Sequence, residues 1–282
     1  MPASVLTFAE KKRRHEKIVV LTAYDALTAS LVHAAGADAI LVGDSAGMVF
    51  AGHETTLPVT MDEMLYHTRS VVRGARGAFI IADMPFLSYQ CGHDEAVHNA
   101  GRFLKEGGAQ AVKLEGADAG LVARLVSIGI PVMGHLGLTP QSVHALGGFR
   151  AQGKTMAAAA RLIEHAKALD IAGCFAIVLE CIPATLGARV TETVAAATIG
   201  IGAGIACDGQ VSVINDLLGL STGYVPKHAK QYAHFYDEGL AAIRTYVDDV
   251  RSGAFPQAEH SILTSDEPPA AKPETPRVDT TP

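Results

Sequence analysis

Eight short runs rich in β-branched residues recur along the chain, each followed by a stretch with helical periodicity. They are IVVLT (18–22), DAILVG (38–43), AFIIAD (78–83), QAVKLE (110–115), IPVMGH (130–135), FAIVLE (175–180), TIGIGAG (198–204) and QVSVIN (210–215). A strand with one wet face alternates polar and apolar residues. Most of these runs are apolar throughout, as parallel strands covered by helices must be. Amphipathic stretches fill the gaps at 25–35, 61–75, 94–107, 117–128, 154–169 and 185–195. Thr60 or Asp62, and Asp94, stand where helix caps belong. The alternation predicts an α/β fold, a closed (β/α)₈ TIM barrel with an N-terminal helix and a C-terminal helical extension. An open doubly wound sheet is the competing arrangement.

The length of 282 residues suits one such barrel. Hydrophobic residues at 49% against 18% charged residues give enough apolar surface for a large core. Residues 1–263 read as a single barrel domain. Within them, 225–252 read as a long helical region with aromatics at Tyr232, Phe235, Tyr236 and Tyr246, expected to pack on the barrel or a neighbouring subunit. The stretch 264–282, rich in Pro, Thr and acids, lacks the apolar content to fold and reads as a disordered tail.

Charge and composition narrow the function classes. A net charge of −6 gives no electrostatic reason to expect nucleic acid or an anionic membrane as partner. No apolar run approaches the roughly 18 residues of a membrane span. The basic cluster KKRRHEK precedes IVVL, which is too short for a signal-peptide core, so a cytoplasmic protein is expected. Cys91, Cys174, Cys181 and Cys207 are widely spaced with no CxxC pair, and they read as reduced thiols. Cys181 is the one to watch because it adjoins Glu180.

The positions of the acids carry the chemistry. Asp44 follows the second run, Asp83 ends the third, Glu115 the fourth and Glu180 the sixth. His135 ends the fifth, and Lys113 lies two residues before Glu115, so the two share a face of one strand. In a parallel barrel all strand C-termini open on one rim, where barrel enzymes do their chemistry. A lone Asp there would be explained as a helix cap; four acids with a Lys and a His are not. Asp44, Asp83 and Glu115 are hard oxygen donors of the kind that suits Mg²⁺. No Cys/His cluster has zinc spacing. A keto acid could chelate such a metal, which would stabilise an enolate. Glu180 stands outside the metal group and is the candidate base. The histidines at 53, 67, 93, 98, 144 and 228 are read as lying on exposed helices or loops, outside the site. GIGAG (200–204) lacks the dinucleotide spacing GxGxxG and reads as a close backbone approach at the rim.

Long motifs add a resemblance. LTAYDA (21–26), VGDSAGMVFAGHETTLPVTMDEM (42–64), ADMPF (82–86), VKLEG (112–116), GHLGLTPQS (134–142), VLECIP (178–183) and IGIGAGIACDGQV (199–211) resemble the ketopantoate hydroxymethyltransferase family from about Thr7 to His260. The resemblance implies metal ligands at Asp44, Asp83 and Glu115, and keto acid contacts from Asp44, Ser45, Asp83, Lys113 and His135. It implies Glu180 as proton acceptor. It further implies Mg²⁺, 5,10-methylenetetrahydrofolate as hydroxymethyl donor, a place in pantothenate biosynthesis, and a homo-oligomer, often a decamer in bacteria. The expected reaction converts 3-methyl-2-oxobutanoate to 2-dehydropantoate through a Mg-stabilised enolate. Asn215 departs from the pattern, where His or a bulkier residue is expected. Two other readings stay open. One is a phosphoenolpyruvate mutase or isocitrate-lyase-like Mg-dependent C–C lyase, against which the missing KKCGH-type loop counts. The other is a non-catalytic ligand-binding barrel.

Overall fold

The computed structural model describes residues 3–262 except Thr222 and Tyr224. The expected tail at 264–282 lies outside the described residues. The chain divides into two compact units, Met1–Ala233 and His234–Pro282.

The first unit opens with helix α1 (Val5–Arg13), strand β1 (Ile18–Thr22) and helix α2 (Ala26–Ala34). Strand β2 (Ala39–Val42) is followed by the single turn α3 (Ala46–Val49) and by α4 (Met61–Gly74). Next come β3 (Ile80–Asp83), α5 (His93–Arg102), β4 (Ala111–Glu115), α6 (Ala119–Ser127) and β5 (Val132–Gly137). The remainder is α7 (Met156–Ile171), β6 (Ala176–Glu180), α8 (Ala184–Thr193), β7 (Ala197–Ile201), β8 (Gly209–Ser212) and the short α9 (Ile214–Leu217). The eight strands pair in parallel, in chain order, and β1 closes on β8. This is the expected closed barrel rather than an open sheet.

The helix starts follow local chemistry. Thr60 accepts from the Glu63 N–H while Glu63 reaches back to the Thr60 N–H, a reciprocal cap for α4. Asp94 does not cap its helix: Gly92 does, and Asp94 sits in the first turn, where a negative charge favours the helix dipole. α5 then widens into a π-helical turn at Phe103–Gly107, inside the stretch expected to be one helix.

Two apolar layers enclose the strands. The outer one lies between strands and helices and includes Met64, Leu65, Leu121, Leu125 and Leu169. The inner one fills the barrel with alternate strand residues, among them Val20, Leu41, Ile81, Met133, Val178 and Ile199. The parity that points Ala111 inward also points Lys113 and Glu115 inward. Likewise Met133 precedes His135, Val178 precedes Glu180, and Ile81 precedes Asp83. The barrel interior therefore changes from apolar to charged toward the strand C-termini.

Helix α1 closes the opposite end. Phe8 is completely buried, with ring centroids 5.8 Å from Phe79 and 5.1 Å from Phe175. Lys12 Nζ donates to the Thr191 and Ala196 carbonyls and to Asp208 Oδ2 at 2.9–3.1 Å, anchoring the helix across the chain's later strands. Phe8→Ala is expected to destabilise the protein by about 3–5 kcal/mol, since it removes a buried ring and leaves a cavity. Urea unfolding of the variant checks this; a loss under about 1 kcal/mol would mean the end of the barrel collapses around the gap.

In the second unit, α10 (Phe235–Ser252) is a helix of 18 residues, shorter than the 225–252 stretch expected. Pro226 lies in the non-helical part, where its ring disfavours a helical residue before it. Tyr246, Phe255 and His260 pack ring to ring beyond it. No helix among the described residues is long and apolar enough to cross a membrane.

Candidate active site

Asp44, Ser45, Asp83, Lys113, Glu115, His135 and Glu180 all line one cavity of about 760 Å³ at the C-terminal end of the barrel. Every residue picked from the sequence for the site is therefore in it. Strand register explains the contacts. Asp83 is the register partner of Lys113 and Glu115 of His135. Accordingly Lys113 Nζ lies 2.8 Å from Asp83 Oδ1, and His135 Nδ1 lies 3.5 Å from Glu115 Oε1. His135 Nε2 faces Glu180 Oε2 at 3.2 Å, which places the imidazole between two carboxylates. Glu180 is held at its height by Gly137, its partner on β5. Gly137 has φ +97°, and a Cβ there would fall 2.2 Å from the Glu180 carbonyl oxygen, so glycine is required.

Asp44 and Ser45 follow β2 rather than lie on it. The Asp44 N–H donates to Asp83 Oδ2 at 3.3 Å, tying the two acids together through the backbone. Ser45 Oγ and Tyr24 Oη are 2.9 Å apart, and the His67 ring nitrogen Nδ1 is 2.7 Å from the Tyr24 carbonyl.

Burial raises the Asp44 carboxyl well above the ordinary range, helped by the neighbouring charges of Asp83 and Glu115. Asp83 is raised by burial as well, against the pull of Lys113. For Lys113, burial alone would favour the neutral amine, but Asp83, Glu115 and Asp44 outweigh it and the ammonium is held above its usual range. Burial and Lys113 push His135 down; Glu115 and Glu180 overcome both and hold it up at about 9. Nδ1 cannot both accept from Lys113, 3.3 Å away, and donate to Glu115. Two flanking carboxylates against one ammonium decide for the imidazolium.

Four carboxyl groups thus face two cations, and a divalent cation would balance the excess of negative charge once all four are ionised. The donors offered are carboxylate oxygens. Asp83 Oδ1 and Glu115 Oε1 are buried and accept no well-aligned hydrogen bond among the described residues, despite the short ion-pair distance to the former. Both features fit a hard cation. Among the described residues no three His, Cys, Asp or Glu side chains form a ready-made metal cage. Water and substrate oxygens would have to complete the coordination.

Sequence reasoning missed several lining residues. His53 and His228 were placed outside the site, yet both line the cavity, as do Phe50, Phe149 and Lys227. His67 is buried against the Phe50 ring rather than exposed on its helix. Gln141 and Tyr89 form a buried layer behind the acids. Phe50, His53 and Gln141 all lie within the family motifs, but the neutral side chain of Gln141 gives no charge signal. GIGAG makes the expected close approach: a Cβ on Gly204 (φ +90°) would sit 2.5 Å from Ala184 Cβ. Asn215 Oδ1 is buried without a hydrogen-bond partner among the described residues, and its Nδ2 donates to the Val49 carbonyl at 3.4 Å.

All four cysteines are free; Cys174 and Cys207 are buried, Cys91 is exposed, and Cys181 is half-buried at the rim. Cys181 has φ +48°, a left-handed conformation costing about 1 kcal/mol or more outside glycine. Its N–H donates to the Ile201 carbonyl and its carbonyl accepts from Gln152, both at 2.9 Å, which turns the chain away directly after Glu180. Burial, then Glu180, push the Cys181 thiol up to about 11. Site-resolved alkylation with iodoacetamide is expected to label Cys91 first. The rate at Cys181 should rise about tenfold per pH unit from pH 7 to near 11, because only the thiolate reacts. A plateau below pH 9 would contradict this.

The ketopantoate hydroxymethyltransferase family model matches residues 3–258. The chain belongs to that family. A relative from Syntrophus aciditrophicus, named 3-methyl-2-oxobutanoate hydroxymethyltransferase, is 55% identical over 254 residues, covering 89% of this chain and 93% of its own. One of the same name from Enterococcus faecalis is 49% identical over 269 residues, covering 95% and 98%. The family is one of transferases. Among solved structures, a phosphonopyruvate hydrolase in complex with oxalate and Mg⁺⁺ superposes with a TM-score of 0.59 at 12% identity, covering 93% of this chain and 92% of its own. A 2,3-dimethylmalate lyase of the PEP mutase/isocitrate lyase superfamily gives 0.56 at 15%, covering 95% and 93%. At such identities the likeness concerns the barrel alone.

Proposed function

We propose that the protein transfers a hydroxymethyl group from 5,10-methylenetetrahydrofolate to 3-methyl-2-oxobutanoate, giving 2-dehydropantoate for pantothenate biosynthesis. The observation that carries the reading is the position of Glu180. It faces the cavity on the far side of His135 from the Asp83–Lys113–Glu115 group. A keto acid held by its oxygens near Lys113 would present its C3–H to Glu180. Glu180 takes that proton, and the Lys113 ammonium donates toward the enolate oxygen. His135, held as an imidazolium, orients the Glu180 carboxylate. Water releases the one-carbon unit at the aldehyde level, both donor carbon–nitrogen bonds breaking and the two nitrogens taking the water's protons; C3 then bonds to that carbon, and its oxygen takes the proton back from Glu180. When bound, a hard divalent cation such as Mg²⁺, held by Asp44 and Asp83 with Glu115 behind them, would supply Lewis-acid stabilisation of the enolate.

A transfer assay with both substrates, with and without EDTA, tests the reading. Product is expected only when keto acid and folate donor are both present, with loss in EDTA and recovery on adding Mg²⁺. No product in the complete mixture, together with cleavage of 2-methylisocitrate, would replace it with the lyase reading.

A further inference from the structure

Behind the acids lies a buried residue whose side-chain polar atoms are both committed. Gln141 follows β5 in a 3₁₀ turn, Pro140–Ser142. Its Nε2 donates to Asp44 Oδ2 at 2.8 Å and to the Met84 carbonyl at 2.9 Å. Its Oε1 accepts from Tyr89 Oη at 2.7 Å and from Gln90 Nε2 at 3.3 Å. Its backbone N–H donates to Glu115 Oε2 at 3.0 Å. Tyr89 Oη in turn accepts from the Glu115 N–H at 3.1 Å.

These partners leave the amide one orientation. Flipped, its oxygen would face the Asp44 carboxylate and the Met84 carbonyl, acceptors both, and its NH₂ would face two donors, the Tyr89 hydroxyl and the Gln90 amide. The hydrogen bonds therefore run in one direction, from the Glu115 N–H through Tyr89 and Gln141 to Asp44. They also choose between oxygens. Gln141 occupies Asp44 Oδ2 and Glu115 Oε2; Glu115 Oε1 is buried with no aligned protein donor among the described residues, and Asp44 Oδ1 is the oxygen that Gln141 does not hold. One residue thus sets which lone pairs two acids, one after β2 and one at the end of β4, offer to the cavity.

We infer that Gln141 is a positioning residue: its amide and backbone N–H hold Asp44 and Glu115 so that one oxygen of each is directed to a divalent cation. This rests on the proposed function, which places a cation there. Outer hydrogen bonds of this kind fix ligand orientation before the metal arrives. Without Gln141, Asp44 and Glu115 lose their shared anchor and can turn toward Lys113 and His135 instead.

The test is Mn²⁺ binding to the purified full chain, followed by electron paramagnetic resonance of the free ion. Gln141→Met is expected to weaken Mn²⁺ binding about 10–100-fold. Tyr89→Phe keeps the ring packing and removes the hydroxyl that fixes the amide and accepts from the Glu115 N–H, so it serves where Gln141→Met fails to fold. It is expected to weaken binding as well, by less than the roughly 10–100-fold of Gln141→Met. The double variant should lose less than the two single losses combined, because part of the Tyr89 effect passes through Gln141. Wild-type-like Mn²⁺ affinity in a folded Gln141→Met chain, or additive losses in the double variant, would overturn the role. Absence of Mn²⁺ binding by the wild type would instead remove the proposed metal reading, and this role with it.

Discussion

Glu180→Gln is expected to abolish exchange of the C3 proton of 3-methyl-2-oxobutanoate with heavy water while the keto acid still binds. The substitution keeps shape and removes the basic oxygen, so the loss should lie within the 10²–10⁴-fold typical of a positioned general base. Proton nuclear magnetic resonance of the C3 signal in heavy water reads the exchange without the folate donor. That isolates the first chemical step from the transfer that follows it. Because His135 is 3.2 Å from Glu180, the neutral amide also removes one of the two carboxylates that keep the imidazole charged. Binding of the keto acid, measured by calorimetry, should change far less than the exchange rate. Exchange at the wild-type rate would assign the base elsewhere.

Lys113→Met is expected to produce the largest combined loss, in stability and in turnover. The ammonium is buried beside Asp83 and close to Asp44 and Glu115. Removing it leaves buried carboxylates without their fixed countercharge, which costs on the order of 3–5 kcal/mol when one partner of a buried pair is deleted. Transfer should fall about 10²–10³-fold, as for the loss of one donor to a developing oxyanion. In EDTA the stability deficit should shrink as the pH falls. The sign follows from the raised carboxyls: Asp44 and Asp83 hold a proton more tightly folded than unfolded, so acid favours the folded state through them. Mg²⁺ should restore part of the stability at neutral pH by supplying positive charge. A deficit that grows toward acid would mean Lys113 does not balance these acids.

Much of the site was legible because two simple periods coincide. Inward-facing strand positions alternate, and the last inward position of a strand reaches the rim. That placed Asp83, Lys113, Glu115, His135 and Glu180 together from spacing, and the register pairs match it. Ser45 came only from motif likeness, since a serine after a strand has many ordinary uses. Gln141, Tyr24 and Tyr89 stayed hidden because they are neutral and sit off the strands, where no period tells inside from outside. His53 and His228 were misplaced for a related reason: each lies outside any helix or strand, and only tertiary structure brings it over the barrel mouth. The fold's errors were local. Gly92 displaced Asp94 as cap, and a Pro-containing stretch delayed α10 to Phe235.

The apolar floor of the barrel has a kinetic meaning. Leu41, Val178 and Val211 form the base of the cavity, and beneath them the barrel is filled down to the Phe8–Phe79–Phe175 cluster. The pocket is a cul-de-sac. A small acid bound against Lys113 at its blind end must arrive before any bulkier second substrate and depart after that substrate's remnant. Turnover should therefore follow a compulsory order, with the keto acid first on and its product last off.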